Sequence, residues 1–358
     1  MAARFLSRAL ALVTVVLVLL GCGSGPGSPL WTPGTGTAAP FVTPNPTSAP
    51  TATPAPAFPV TITDDEGTSV TIAAEPTKIV SITPATTETL FALGVGARVV
   101  GKVEDVAKYP PEADPIPIVA TFSSVDVEQI VSLGADLVVS GGTGFTQGAA
   151  VEQLRRANIP VIVSYPTTID QAIAGFRTLG KAVGAADAGN QLADTTKAKL
   201  DALAAKAATA TSEPRLFYEI DASNGIFTPP AGSIYGEMFK LAGAEPISGN
   251  ASYSISLENL VAADPQVILL GDAAYGVTAD AVKARPGWGG MTAVKDGRMV
   301  GIDDIVVTRP GPRLIDGLAA LIRAIHPEID ISDIVPSPGP SPAGSGAPVP
   351  SASEAAVP

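Results

Sequence analysis

Short, unbroken apolar runs alternate along the middle of this chain with stretches of helical length. Lys78-Ile79-Val80-Ser81-Ile82 reads as a strand, and Thr86 to Leu93 as a helix stopped by Gly94. Val99-Val100-Gly101 is a second strand. Val125 to Leu133 is helical, Asp136-Leu137-Val138-Val139-Ser140 a strand, Gln147 to Ala157 helical, and Val161-Ile162-Val163-Ser164 a strand. Strands without a polar face, separated by helices, predict a parallel sheet covered on both sides. The second half repeats the scheme, with strands at Arg215-Leu216-Phe217-Tyr218-Glu219 and Val267-Ile268-Leu269-Leu270 and a helix from Ile234 to Leu241. Between the halves, Ile169 to Val183 and Gln191 to Ala208 are rich in alanine and have strong helix propensity, with a break at Gly184 to Gly189. The predicted fold class is therefore α/β: two Rossmann-like lobes with parallel-rich sheets, joined by a long rigid helix, with a ligand cleft between the lobes.

Two local signatures recur in the same order. Glu128-Gln129-Ile130-Val131 before Leu137-Val138-Val139 matches Glu258-Asn259-Leu260-Val261 before Val267-Ile268-Leu269, and Glu88 precedes Gly94 as Glu237 precedes Gly243. This supports a paired arrangement of lobes. The expected organisation is a signal peptide over 1–21, a lipidated cysteine and disordered tether over 22–57, and an N-terminal lobe over 58–166. Connecting helices over 167–210, a C-terminal lobe over 211–335 and a disordered tail over 336–358 complete it.

The ends of the chain have another character. Arg4 and Arg8 precede an apolar run from Ala9 to Leu20, too short for a transmembrane helix of ~20 residues, and then Leu19-Leu20-Gly21-Cys22. This ending resembles the lipobox of bacterial lipoproteins, in which Cys22 becomes a diacylated N-terminus. The expectation is export, with anchoring to the outer face of the cell membrane or a periplasmic location. The Gly/Ser/Thr/Pro-rich segment after Cys22 cannot bury enough apolar surface to offset its ordering entropy.

Charge and rare residues narrow the chemistry. A net charge of −12 argues against nucleic acid as a partner. Cys22 is the single cysteine and His326 the single histidine, so disulfides, imidazole-rich metal sites and a Ser-His-Asp triad are all unsupported. Gly96 to Val103 comes one residue short of a phosphate-binding loop, because Val103 has no hydroxyl for magnesium and Val99-Val100 reads as a strand. Asp64-Asp65 reads as a hairpin turn, and Asp303-Asp304 lies at a strand end, where it could face the cleft. No nucleophile with a base is apparent. The chain is not expected to be an enzyme, and neither a protein-held metal nor a cofactor is expected.

From Val60-Thr61-Ile62-Thr63-Asp64 to Pro327, the ordered landmarks resemble the helical-backbone class of substrate-binding lipoproteins of ABC importers, the ferric siderophore/cobalamin-binding family. They include Pro76 to Ser81, Pro84-Ala85-Thr86-Thr87-Glu88-Thr89-Leu90-Phe91-Ala92-Leu93-Gly94, Val127-Glu128-Gln129-Ile130 and Leu257-Glu258-Asn259-Leu260. Pro286-Gly287-Trp288, Ala293 to Arg298 and Arg309-Pro310-Gly311-Pro312-Arg313 complete the series. The resemblance implies a monomeric carrier that delivers a metal chelate, cobalamin or a ferric siderophore, to a permease dimer. It implies a surface glutamate on each lobe docking onto permease arginines. Glu88 fits the first position and Glu237 the second, although some relatives carry the second acid where this chain has Lys240. A ligand-sensing lipoprotein of the same fold is the alternative, and an exported hydrolase a more distant one.

Ligand contacts are expected on loops at the strand ends: Thr83, Pro84, Phe122, Ser123, Gly142, Phe145 and Tyr165 on the first lobe. On the second they are Tyr218, Asp221, Phe227, Tyr253, Tyr275, Trp288 and Arg309. Aromatic rings suit a large ligand, and Arg309 would suit an anionic group on a siderophore. Val106 to Ala113, with its Tyr109-Pro110-Pro111, is reminiscent of the cobalamin-binding branch. A chelate arrives with its metal already coordinated, which fits the scarcity of histidine.

Overall fold

The computed structural model describes residues 57–142, 147–249 and 252–336. Cys22, the signal and tether segments, and Phe145 lie outside the described residues. The described chain opens with a hairpin, β1 (Val60–Thr63) and β2 (Ser69–Ile72), paired antiparallel. Asp64 closes its turn by accepting from the Glu66 and Thr68 amides at 3.1 and 2.8 Å. That is the turn its sequence predicts.

The first lobe runs β3 (Ile79–Ser81), α1 (Pro84–Ala92), β4 (Val99–Val103), β5 (Ile118–Ala120), α2 (Val127–Ser132), β6 (Leu137–Ser140), α3 (Gly148–Arg156) and β7 (Val161–Val163). Its five strands are all parallel, in the order β5-β4-β3-β6-β7. Ile79, Leu137, Val139 and Ile162 face one core, whereas Val80, Ile82, Val138 and Val161 face the other. This two-sided burial is why these strands read as continuous apolar runs.

Next come α4 (Ile169–Ala182) and α5 (Ala186–Ala207), and then the second lobe: β8 (Arg215–Glu219), α6 (Ile234–Leu241), β9 (Glu245–Pro246), α7 (Leu257–Ala263), β10 (Val267–Leu270), α8 (Ala279–Lys283), α9 (Thr292–Lys295), β11 (Met299–Gly301), α10 (Asp304–Thr308) and α11 (Leu314–Ile325). Its parallel sheet has the order β11-β10-β8-β9. Leu216, Tyr218, Val267 and Leu269 face a core shared with α4, α5, α6 and α11, and Phe217, Ile268 and Leu270 face the opposite one.

Two helices connect the lobes, as expected, and α5 is the long one, 22 residues, but the break between them is shorter than the sequence predicts. The helical break spans only Val183 to Ala185, and α5 packs back along α4 as a hairpin. Gly189 therefore lies inside α5, not in a linker. The reason is steric: a Cβ on Gly189 would sit 2.7 Å from the Phe176 carbonyl oxygen and 3.0 Å from the Gly180 Cα. Leu192 on α5 contacts the cores of both lobes, so the hairpin still ties them together. Gly189→Ala should cost about 1–3 kcal/mol by overpacking this crossing, despite alanine's better helix propensity. Urea unfolding checks this, and an unchanged midpoint would show that the helices separate freely.

His326 ends α11, buried, with Nε2 3.0 Å from the Gly243 carbonyl oxygen. No described helix is long and apolar enough to cross a membrane.

Candidate functional site

In open parallel sheets the crevice for ligands lies beyond the carboxyl ends of the strands, where the strand order reverses. In the first lobe that point falls between β3 and β6. The loop after β3 places Thr83 at the N-cap of α1 and Pro84 at its first turn, and the loop after β6 carries Gly141 and Gly142. A Cβ on Gly141 would meet the Thr83 methyl at 2.4 Å, so the two loops touch. Thr83 and Ser81 both bond the Thr86 hydroxyl at 2.7 Å, which fixes the start of α1. In the second lobe the reversal lies between β8 and β10, above Glu219, Asp221, Gly271 and Asp272.

Tyr165 of the first lobe and Tyr235 and Tyr253 of the second are near enough to one another for their charges to interact. Burial pushes the Tyr235 hydroxyl well above its ordinary range, and Tyr253, Tyr165 and Asp304 add to the shift. Tyr165 is raised by burial and by Tyr253. Tyr165 belongs to the first lobe and the other two to the second. Tyr165 and Tyr253 are 44% and 51% exposed, open enough to receive a ligand. Asp304 lies beside them and accepts a hydrogen bond from the Tyr218 hydroxyl at 2.7 Å. Burial raises the Asp304 pKa, the Tyr218 bond lowers it, and Asp303 raises it further, leaving it above the usual carboxylate value. A small cavity of about 20 Å³ lies among Ala85, Thr89, Ser164, Pro166, Phe176 and Pro310.

Four charged side chains join the lobes at the base of α1. Arg309 Nη1 donates to Glu88 Oε1 at 2.9 Å and to Asp105 Oδ2 at 3.0 Å, and its Nη2 donates to Asp105 Oδ1. Arg313 donates to both Glu88 oxygens, from Nε at 3.0 Å and from Nη2 at 2.7 Å. The Tyr109 ring lies 4.1 Å from the Arg313 guanidinium carbon. Burial works to raise the Asp105 pKa, but hydrogen bonds and charge from Arg309 outweigh it and hold the carboxyl below its ordinary value. A surface hollow of about 440 Å³ adjoins this lattice, lined by Phe91, Tyr109, Glu112 and Pro312 as well as Glu88.

This lattice corrects two expectations. Glu88 is not a surface glutamate: its side chain is 1% exposed and both oxygens are occupied by arginines. Arg309 does not present a free cation, because Glu88 and Asp105 already neutralise it. Glu237, half-buried, uses Oε2 to accept from the Ile169 amide at 2.8 Å and so caps α4. Helix position alone could not reveal either partner.

Other expected contacts divide by burial. Tyr218 is a core residue stacked on Phe239 at 5.3 Å, and Trp288 is buried edge-on against Phe217 at 6.0 Å, so neither presents a ring to the crevice. Strand β8 alternates its side chains between two cores, which leaves no cleft-facing position for residue 218 except through its hydroxyl. Asp221 accepts from the Ser223 amide and hydroxyl at 2.8 and 3.0 Å within a turn, and bridges to Phe227. Phe122 and Ser123 lie on an exposed turn after β5, and Tyr275 is 67% exposed on the short 3-10 turn Gly271–Tyr275 after β10. Gly142 is buried, with φ +127°, and Thr83 and Pro84 are half-buried.

Sequence reasoning missed Asp105, Arg313, Tyr235 and a buried cluster at the β8–β10 reversal. There Arg285 makes a two-pronged bond to Glu219, at 2.6 and 2.8 Å, while its guanidinium carbon lies 4.6 Å from the centroid of the Trp288 ring. Asp272 shares a hydrogen bond with Glu219 and has a buried Oδ1 without a partner. Burial, and then the Glu219 charge, push its pKa to about 7. Charged residues at the ends of apolar strands were the available signal for this cluster. Among the described residues, no group of three or more His, Cys, Asp or Glu could hold a bare metal ion.

The comparisons agree with this architecture. Residues 79–306 match the periplasmic binding protein family model. The chain is 34% identical over 260 residues to an uncharacterized ABC transporter substrate-binding lipoprotein, YvrC, of Bacillus subtilis, covering 71% of this chain and 81% of that protein. It is 29% identical over 268 residues to a cobalamin-binding protein of Halobacterium salinarum, covering 71% and 70% respectively. Among solved structures, the periplasmic haem-binding protein RhuT from Roseiflexus sp. RS-1 superimposes with a TM-score of 0.62 at 26% identity, covering 70% of this chain and 99% of that one. The chain belongs to the periplasmic binding protein family and is a substrate-binding protein of an ABC transporter. Proteins of this kind work outside the cytoplasm with permease partners.

Proposed function

We propose that this chain captures a bulky metal chelate, cobalamin or a ferric siderophore, and delivers it to an ABC permease dimer as a monomer anchored through lipidated Cys22. The observation that carries the reading is the pair of parallel-sheet lobes with Tyr165 and Tyr253 exposed on loops of opposite lobes. Aromatic rims give broad apolar contact and keep a polar edge for amides or hydroxyls on the ligand. Relatives named as cobalamin-binding favour the corrinoid. No catalytic step belongs to this reading. Docking through Glu88 requires permease cations to take over from Arg309 and Arg313, and docking through Glu237 requires only that its free edge be reached.

The test is calorimetric titration of the full chain with cyanocobalamin and with a ferric hydroxamate. Binding at micromolar levels or better is expected for at least one. Tyr165→Ala and Tyr235→Ala should each weaken it by about tenfold, as loss of an aromatic anchor does. If no chelate bound, or if both variants bound like the parent, the reading would fail.

A further inference from the structure

We propose that Asp65, at the tip of the N-terminal hairpin, is a positioning residue for the loop after β7, fixing the backbone from which Tyr165 meets the ligand. The inference rests on the chelate reading above and adds a residue that sets one of its contacts.

β7 is the last strand of its sheet, beside β6. The Val138 amide donates to the Pro160 carbonyl at 2.9 Å and the Ser164 amide to the Ser140 carbonyl at 2.8 Å, so the even-numbered positions face β6. Val163 and Tyr165 turn their backbone groups the other way, to an edge that must be covered or hydrated. The hairpin turn covers it with two neighbouring aspartates. Asp64 Oδ2 accepts from the Val163 amide at 3.2 Å, and the Asp65 amide donates to the Val163 carbonyl at 3.1 Å. Asp65 Oδ2 then accepts from the Tyr165 amide at 2.7 Å, the length of a charge-assisted bond.

The two acids have different tasks. Asp64 is buried, closes the turn through the Glu66 and Thr68 amides, and pairs with Arg155 at 3.4 Å, so it makes the turn and seats it on the sheet. Asp65 is exposed, and its carboxylate reaches a residue 100 positions further along the chain. That residue stands where its placement matters. Ser164 and Pro166, on either side of Tyr165, line a small cavity together with Ala85 of α1 and Pro310 of the second lobe, so this loop lies where the lobes meet. Pro166 restricts Tyr165 to extended backbone, Ser164 is tied to β6, and Gln171 accepts from the Thr167 amide and hydroxyl, both at 2.8 Å. With the Tyr165 amide held as well, the ring keeps freedom about its own side-chain torsions and little else. A ligand that meets a ring on an ordered backbone avoids the entropic cost of fixing the loop.

The experiment titrates the full chain, Asp65→Ala, Asp65→Asn, Tyr165→Ala and the double variant Asp65→Ala/Tyr165→Ala with cyanocobalamin and with a ferric hydroxamate. Asp65→Ala removes the Tyr165 bond but leaves the Asp65 amide and the bonds of Asp64, so its melting temperature should stay within about 3 °C of the parent's. It should weaken binding by about three- to fivefold. Asparagine keeps an acceptor and should restore most of the loss, and the alanine change should add nothing once Tyr165 is alanine. The Tyr165 amide should exchange with deuterium about tenfold faster in Asp65→Ala, with the Ser164 amide unmoved. Parent-like affinity in Asp65→Ala, no rescue by asparagine, or additive losses in the double variant would each overturn the positioning role while the chelate reading stood. A large fall in melting temperature would make Asp65 a part of the fold instead and overturn the role as well. Failure of every chelate to bind would overturn both.

Discussion

Arg309→Ala is expected to lower the free energy of unfolding by about 3–5 kcal/mol, the cost of stripping a partner from a buried ion pair. The loss falls mainly on Asp105, whose side chain is 6% exposed and whose remaining donors are the Ala107 and Tyr109 amides at 3.0 and 3.4 Å. Glu88 keeps both bonds from Arg313. Asp105→Asn combined with Arg309→Met should cost less than Arg309→Ala alone, because the pair is then removed together and no bare charge remains. Urea unfolding at neutral pH measures both. The effect should also shrink in acid. Asp105 has a folded pKa below its unfolded value of 3.8, so its contribution is present above that value and disappears as the pH falls through the folded one. If Arg309→Ala unfolded at the parent's midpoint, the lattice would be no more than a surface ion pair. Because the lattice joins the lobes, the same variant should also expose amides at their boundary to faster hydrogen exchange.

Asp272→Asn is expected to stabilise the protein at pH 8 by an amount on the order of a few kcal/mol, and to do little near pH 4. In the unfolded chain Asp272 loses its proton near 3.8, whereas in the folded protein it keeps it to about 7. Between those values the folded state binds more protons, so this group makes stability fall as the pH rises. Above about 7 the charge is buried beside Glu219, and Arg285 is already committed to that carboxylate. Asparagine retains a hydrogen-bond donor for Glu219 and cannot ionise. Thermal melts across pH 4–8 should lose part of their slope in the variant, each kcal/mol appearing as about 2–4 °C. Identical slopes for the two proteins would show that Asp272 ionises in place without cost. Asp272 shares its 3-10 turn with the exposed Tyr275, so the same titration can be followed through the order of that loop.

The parallel sheets were legible because each strand is buried on both faces and therefore has no polar alternation. Ile79 to Ser81, Leu137 to Ser140 and Val267 to Leu270 lie where their apolar runs place them. The hairpin turn at Asp64 and the helix from Ile234 to Leu241 were equally local, fixed by turn chemistry and by a Ser233 cap. β9, only two residues long, had no such pattern and exists because its neighbour β8 offers an edge. Among the candidate ligand residues, Tyr165 and Tyr253 are exposed on loops of opposite lobes. Tyr218 and Trp288 are absorbed by the cores, since an aromatic residue near a strand end satisfies either role equally well in one dimension.

This chain's sequence by itself determined two α/β lobes with buried parallel sheets, because periodicity and helix stops are properties of neighbours along the chain. It also carried the series of motifs that the comparisons place in the periplasmic binding protein family. Only the tertiary structure decided what the charges do. Glu88 and Arg309 are 221 positions apart, and so are a docking acid and a ligand cation until the fold brings them within 2.9 Å. Once buried together they must neutralise each other, because an unpaired charge out of water costs more than the fold can bear. The same close approach turned an expected linker glycine, Gly189, into the contact on which α4 and α5 cross.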